Sequence, residues 1–128
     1  MATIVVGYVP APEGEAAWDW AVRHASEHGD RVVVVASEGP HPDVPREAVV
    51  EQLEGRLEEV GLDHEVVHLA GAGGAADSIL DHARRHDASL VVIGQRRRSP
   101  VGKLVLGSTS QRILLEADCP VVAVKAPR

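Results

Sequence analysis

Apolar residues along the chain fall into two alternating kinds of segment. Thr3–Tyr8, Arg31–Ala36 and Ser89–Ile93 are short, continuous, β-rich runs, the pattern of strands buried on both faces. Between them the apolar positions recur at helical spacing. Ala17, Trp20, Ala21 and Ala25 form one stripe within Gly14–His28. Val49, Val50, Leu53, Leu57 and Val60 form a second, entered at Pro45 and closed by Gly61. Ala76, Ile79, Leu80 and Ala83 form a third. His64–Leu69 reads as a more polar strand, Gln111–Ala117 as a last helix and Val121–Lys125 as a last strand. Gly29-Asp30, Gly39–Asp43 and Gly71–Gly74 punctuate the pattern as turns and loops.

The resulting order is β-α-β-α-β-α-β-α-β. Doubly apolar strands alternating with amphipathic helices predict an α/β fold: a three-layer, doubly wound, Rossmann-like arrangement with helices on both faces of a parallel sheet. A length of 128 residues suits a single domain spanning 1–128. With no Phe and few other aromatics, its core has to be Val, Leu, Ile and Ala. Such sheets bind ligands beyond the carboxyl ends of their strands.

One connection at that end of the sheet carries the chemistry. Gly94 to Thr109 leaves the fourth strand, runs through Arg96, Arg97, Arg98 and Lys103, and reaches Gly107-Ser108-Thr109 at a helix start. Main-chain N–H groups at a helix N-terminus attract anions, phosphate above all, and guanidinium groups suit phosphate oxygens. Ser108 and Gln111 have capping-box spacing, and Gly107 allows a positive φ or a close approach to a ligand. The competing reading of the arginines is solvated loop charge paired with Glu13 or Glu15. Ser37 and Glu38, after the second strand, are candidates for the border of a purine site.

Composition narrows the function classes. A net charge of -6, with no aromatics among the arginines, argues against nucleic acid and anionic membranes. The chain has no apolar stretch of bilayer-spanning length, and its N-terminus enters a strand at once, which points to the cytoplasm. Cys119 is the only cysteine and reads as a packed thiol, so neither a disulfide nor a cysteine zinc cage is expected. His24 with His28, and His82 with His86, are four apart on helices but lack a metallopeptidase arrangement, and His64 with His68 share a strand face; no metal site is expected. Ser108 has no evident base and no Gly-x-Ser-x-Gly context, so no catalytic residue is assigned.

The glycine spacing resembles the universal stress protein family. Nucleotide-binding members carry Gly, two residues, Gly, nine residues, Gly, then Ser or Thr; Gly94 and Gly107-Ser108 hold the outer positions, and Arg97 stands at the second glycine. Val9-Pro10-Ala11 occupies the place of an Asp-Gly-Ser segment, so the acid expected at the ribose or metal side of the nucleotide is missing there. Glu116–Val124 is similar to the family's closing helix-to-strand segment. The resemblance implies strand order 3-2-1-4-5, ATP or AMP between the loops after strands one and four, and homodimers through the final strand, Val121–Val124. The site residues it implies are Gly94, Gly107, Ser108 and Thr109, assisted by Arg96, Arg97, Arg98 and Lys103, with Val35, Ala36 and Ile93 as walls for a base. The function implied is a non-enzymatic, nucleotide-binding stress-response module. The alternatives are an ATP-hydrolysing enzyme and a family member that binds no nucleotide and acts through protein contacts. A phosphorylated receiver domain is excluded, because Leu69-Ala70-Gly71 offers no Asp after the third strand.

Overall fold

A computed structural model of the chain describes residues 1–37, 45–69, 74–96 and 106–127. Its elements are β1 (Thr3–Tyr8), α1 (Pro12–His28), β2 (Arg31–Ala36), α2 (Arg46–Val60), β3 (His64–His68), α3 (Gly74–Arg85), β4 (Leu90–Gln95), α4 (Ser108–Glu116) and β5 (Val121–Lys125). The strands form one sheet in the order β3-β2-β1-β4-β5. Every pairing is parallel, with Val5 opposite Val33 on one side and Val91 on the other. None of the described helices is long and apolar enough to cross a membrane.

The pleat divides the core in two. Ile4, Val6, Tyr8, Val32, Val34 and Val92 face α1 and α2, where they meet Ala17, Trp18, Leu53 and Leu57. Val5, Val33, Val35, Val91 and Ile93 face α3 and α4, where they meet Ile79, Leu80 and Ile113. Each fully buried Val or Leu contributes about 1.5–3 kcal/mol, so the three central strands carry most of the cohesion. Gly29 and Gly61 close α1 and α2 with left-handed backbone, φ 70° and 78°.

Two expectations are corrected. In α1 the buried stripe is Gly14, Ala17, Trp18, Ala21 and Ala25, so Trp18 replaces Trp20 on the core face. Trp20 lies at the margin and stacks on His24, ring centroids 4.9 Å apart. In α2, Val49, Leu53 and Leu57 are buried, but Val50 is half-buried and Val60 is exposed, because the inward stripe narrows toward the edge of the sheet. β5 is an edge strand, and its residues are half-buried or exposed.

A polar clasp joins α1 to α2. Arg56 donates from Nη1 and Nη2 to the two carboxylate oxygens of Glu15 at 3.1 and 2.9 Å. Tyr8 Oη donates to Glu15 Oε1 at 2.8 Å, and the guanidinium lies 4.4 Å over the Trp18 ring. Burial, then the Glu15 carboxylate, pushes the Tyr8 hydroxyl up to about 12. The Arg56 hydrogen bonds hold the Glu15 carboxyl below its ordinary value of 4.5. A depressed carboxyl stabilises the fold above the unfolded value, and that stability disappears as pH falls through the folded value. Glu15→Gln is therefore expected to cost about 1 kcal/mol at neutral pH, kept small because both side chains are partly exposed. Urea unfolding should show the gap closing as pH falls below the ordinary carboxyl value; a gap that widens in acid would contradict the clasp.

Candidate functional site

The sheet changes direction between β1 and β4, and a cleft of about 360 Å³ opens there, beyond the carboxyl ends of the strands. Its floor is Gly7, Tyr8 and Val9 from β1 and its exit. On the β2 side stand Val35 and Ser37; on the β4 side stand Ile93, Gly94, Gln95 and Arg96. Three helices present their N-terminal turns to it: Glu13 and Gly14 of α1, Ala75 of α3, and Ser108, Thr109 and Ser110 of α4 with its cap Gly107. A parallel sheet compels this, since each helix starts where a strand ends.

The start of α4 is bare. Gly107 is its N-cap, in extended backbone (φ -71°, ψ 166°), with no side-chain hydrogen bond capping the turn. The first helical hydrogen bond runs from Gln111 N to Gly107 O at 3.0 Å. The amides of the first turn are therefore free of side-chain caps and sit at the positive end of the helix dipole, facing the cleft. The expected Ser108–Gln111 capping box is not formed. Ser108 is already the first helical residue, and Gln111 donates from Nε2 to Leu106 O at 3.1 Å instead. Gly107 does not use its freedom for positive φ; the space where a side chain would stand is open.

Two glycines make the cleft possible. A Cβ on Gly94 would lie 2.0 Å from the Glu13 carbonyl oxygen, and one on Gly14 would lie 1.8 Å from the Val9 carbonyl oxygen. Both obstacles are backbone, which cannot swing aside. The first turn of α1 is thus pressed against the ends of β1 and β4, and Gly94 acts first as a packing residue.

Of the residues read from sequence, Val35, Ile93, Gly94, Arg96, Gly107, Ser108 and Thr109 come together on this one cleft, joined by Ser37. Ala36 does not; it points into the core against α1 and α2. Arg97, Arg98, Lys103 and Glu38 lie outside the described residues. Glu15 is engaged by Arg56 and Tyr8. Sequence reasoning missed Tyr8 and Ile79 as cleft residues, and it read Glu13 only as a partner for the loop arginines. Ile79 was legible as a core position, but nothing local tells which core residue meets a cleft. The acid found missing after β1 has a neighbour here, since Glu13 brings a carboxylate-bearing side chain to the cleft from the first turn of α1.

Elsewhere the polar groups are structural. His24 and His28 stack at 4.1 Å, and His28 Nδ1 is engaged by the His24 carbonyl at 2.8 Å. His86 Nε2 lies 3.2 Å from a Glu65 carboxylate oxygen. Among the described residues no group of three or more His, Cys, Asp or Glu could hold a metal. Burial raises the Cys119 thiol above its ordinary value, which suits a packed side chain.

Comparison with known proteins places the chain in a family context. The model of the universal stress protein family matches residues 1–125. A universal stress protein of Mycolicibacterium smegmatis is 37% identical over 126 residues, covering 95% of this chain and 96% of that protein. A universal stress protein from Archaeoglobus fulgidus superposes with a TM-score of 0.73 at 30% identity, covering 98% of this chain and 99% of that one. A second structure from Archaeoglobus fulgidus, solved in complex with dAMP, superposes with a TM-score of 0.69 at 25% identity and covers 98% of both chains.

Proposed function

This chain belongs to the universal stress protein family, and we propose that within it the protein is a non-enzymatic regulatory module that binds an adenine nucleotide, AMP or ATP, in the cleft between β1 and β4. The observation that carries this reading is the uncapped α4 N-terminus facing an apolar wall across one cleft. An anion at the amides of Ser108, Thr109 and Ser110 gains from both hydrogen bonds and helix dipole. A purine ring then has Val35, Ile79 and Ile93 to cover it. Gly94 and Gly107 leave room for the ligand, Arg96 adds a guanidinium at the rim, and Arg97, Arg98 and Lys103 belong by sequence to the same connection. The dAMP bound by the archaeal relative supports an adenine nucleotide as the ligand class.

In this reading occupancy changes a partner surface. The protein works in the cytoplasm as a homodimer paired along the free edge of β5, Val121–Val124. Hydrolysis is disfavoured, because Val9 stands where an acid would serve a metal-bound triphosphate.

Native mass spectrometry of the purified chain with AMP or ATP tests the proposal. The expected spectrum is a dimer carrying one nucleotide per subunit, and bound nucleotide should slow proteolysis within residues 95–106. A nucleotide-free spectrum at millimolar AMP and ATP would overturn the reading. Linear, metal-dependent phosphate release would reassign the protein as a hydrolase.

A further inference from the structure

Glu13 lines the cleft, and the nucleotide reading above leaves it without a role. Two acids occupy the first turn of α1. Both carboxylate oxygens of Glu15 are taken by Arg56, and one also by Tyr8. Glu13 is half-buried and lines the cleft, and its side chain has no hydrogen bond or ion pair with any described residue. Its backbone is fixed, because its carbonyl oxygen and Cβ come within 2.0 and 3.1 Å of the position a Gly94 Cβ would take.

The order of the walls decides what Glu13 meets. Val35 lies on β2, on one side of β1, and the bare α4 N-terminus follows β4 on the other. Glu13 lines the same cleft from α1, its main chain against Gly94 at the end of β4. A ligand with its anion on α4 and its flat apolar part on Val35 must carry its middle past this side chain. A carboxylate there repels a second anion, so the ligand's middle has to be neutral and rich in donors. In a nucleotide the middle is the sugar.

We propose that Glu13 is the specificity-determining residue of the cleft, accepting hydrogen bonds from the vicinal hydroxyl groups of a ribonucleotide. The inference rests on the nucleotide reading and deepens it by naming the sugar. Two adjacent O–H donors match the two oxygens of one carboxylate, and each such charged hydrogen bond is worth about tenfold in affinity. The bland role for an acid in a first helical turn is to favour the helix dipole, and that role predicts no preference among sugars.

Calorimetric titration of the full chain with AMP, 2′,3′-dideoxy-AMP and adenosine separates the two. Wild type should bind AMP at least about tenfold more tightly than the dideoxy nucleotide. Glu13→Ala should bind the two within about twofold, Glu13→Gln should fall between, and the preference for AMP over adenosine should persist in every variant. Thermal melts check that the variants fold. Equal binding of AMP and dideoxy-AMP by wild type would overturn the inference while leaving the nucleotide reading intact. The same holds for a Glu13→Ala variant that keeps the discrimination and loses only thermal stability. Absence of binding by any of the three ligands would overturn both.

Discussion

Gly94→Ala is expected to lower stability by about 3 kcal/mol, a drop of roughly 10 °C in Tm for a chain of this size. The new methyl group would begin 2.0 Å from the Glu13 carbonyl oxygen, and only a shift of α1 away from β4 makes room. Because that contact shapes the cleft, nucleotide affinity should fall together with stability. Gly14→Ala should behave alike, since its methyl group would meet the Val9 carbonyl oxygen at 1.8 Å. Gly55→Ala provides the contrast. Gly55 lies inside α2 with nothing within 4 Å of its Cβ position, so this change should raise stability by about 0.5–1 kcal/mol through helix propensity. Calorimetric melts of the three variants check the set; a Gly94→Ala protein as stable as wild type would dismiss the close approach of α1 to β4.

Ser108→Asp should separate stability from binding more sharply than any other change. A carboxylate in the first turn of α4 favours the helix dipole and should add about 0.5 kcal/mol of stability. It would also stand where the nucleotide phosphate is held. Two like charges about 4 Å apart near a protein surface repel by up to about 4 kcal/mol, so AMP affinity should fall by at least about a hundredfold. Ser108→Ala keeps the main-chain amide and should cost less than about tenfold. Titration with AMP and a thermal melt on the same samples measure both quantities. A Ser108→Asp protein that binds AMP normally would remove α4 from the site.

How much of this was legible in sequence follows from which interactions are local. Val32–Val35 and Val91–Ile93 read as strands because central parallel strands are buried on both faces and permit only apolar residues. Ala76, Ile79, Leu80 and Ala83 marked the inner face of α3 for the equally local reason of helical period. Trp18 and Trp20 defeated the same logic. Either can join a stripe with Ala17 and Ala21, and only the angle at which α1 crosses the sheet chooses between them. The α4 end of the site showed itself because a strand, a basic connection and a Gly-Ser-Thr start are contiguous. The packing of Glu13 and Gly14 was less legible, because it arises only when α1 folds across β4, about 80 positions further along the chain. The capping box failed on a fine point: Gly107 rather than Ser108 took the extended cap position, which left the amides open to a ligand. Strand order was implied by family resemblance, not by periodicity.

The claim on which the account turns is that main-chain amides at the start of α4 hold the phosphate of a nucleotide. A ¹⁵N NMR titration of the full chain with AMP reads those amides directly. The account predicts saturable shifts concentrated at Ser108, Thr109 and Ser110, accompanied by Gly94 and Val35. No shift up to millimolar AMP, or saturable shifts confined to residues away from the β1–β4 cleft, would contradict it.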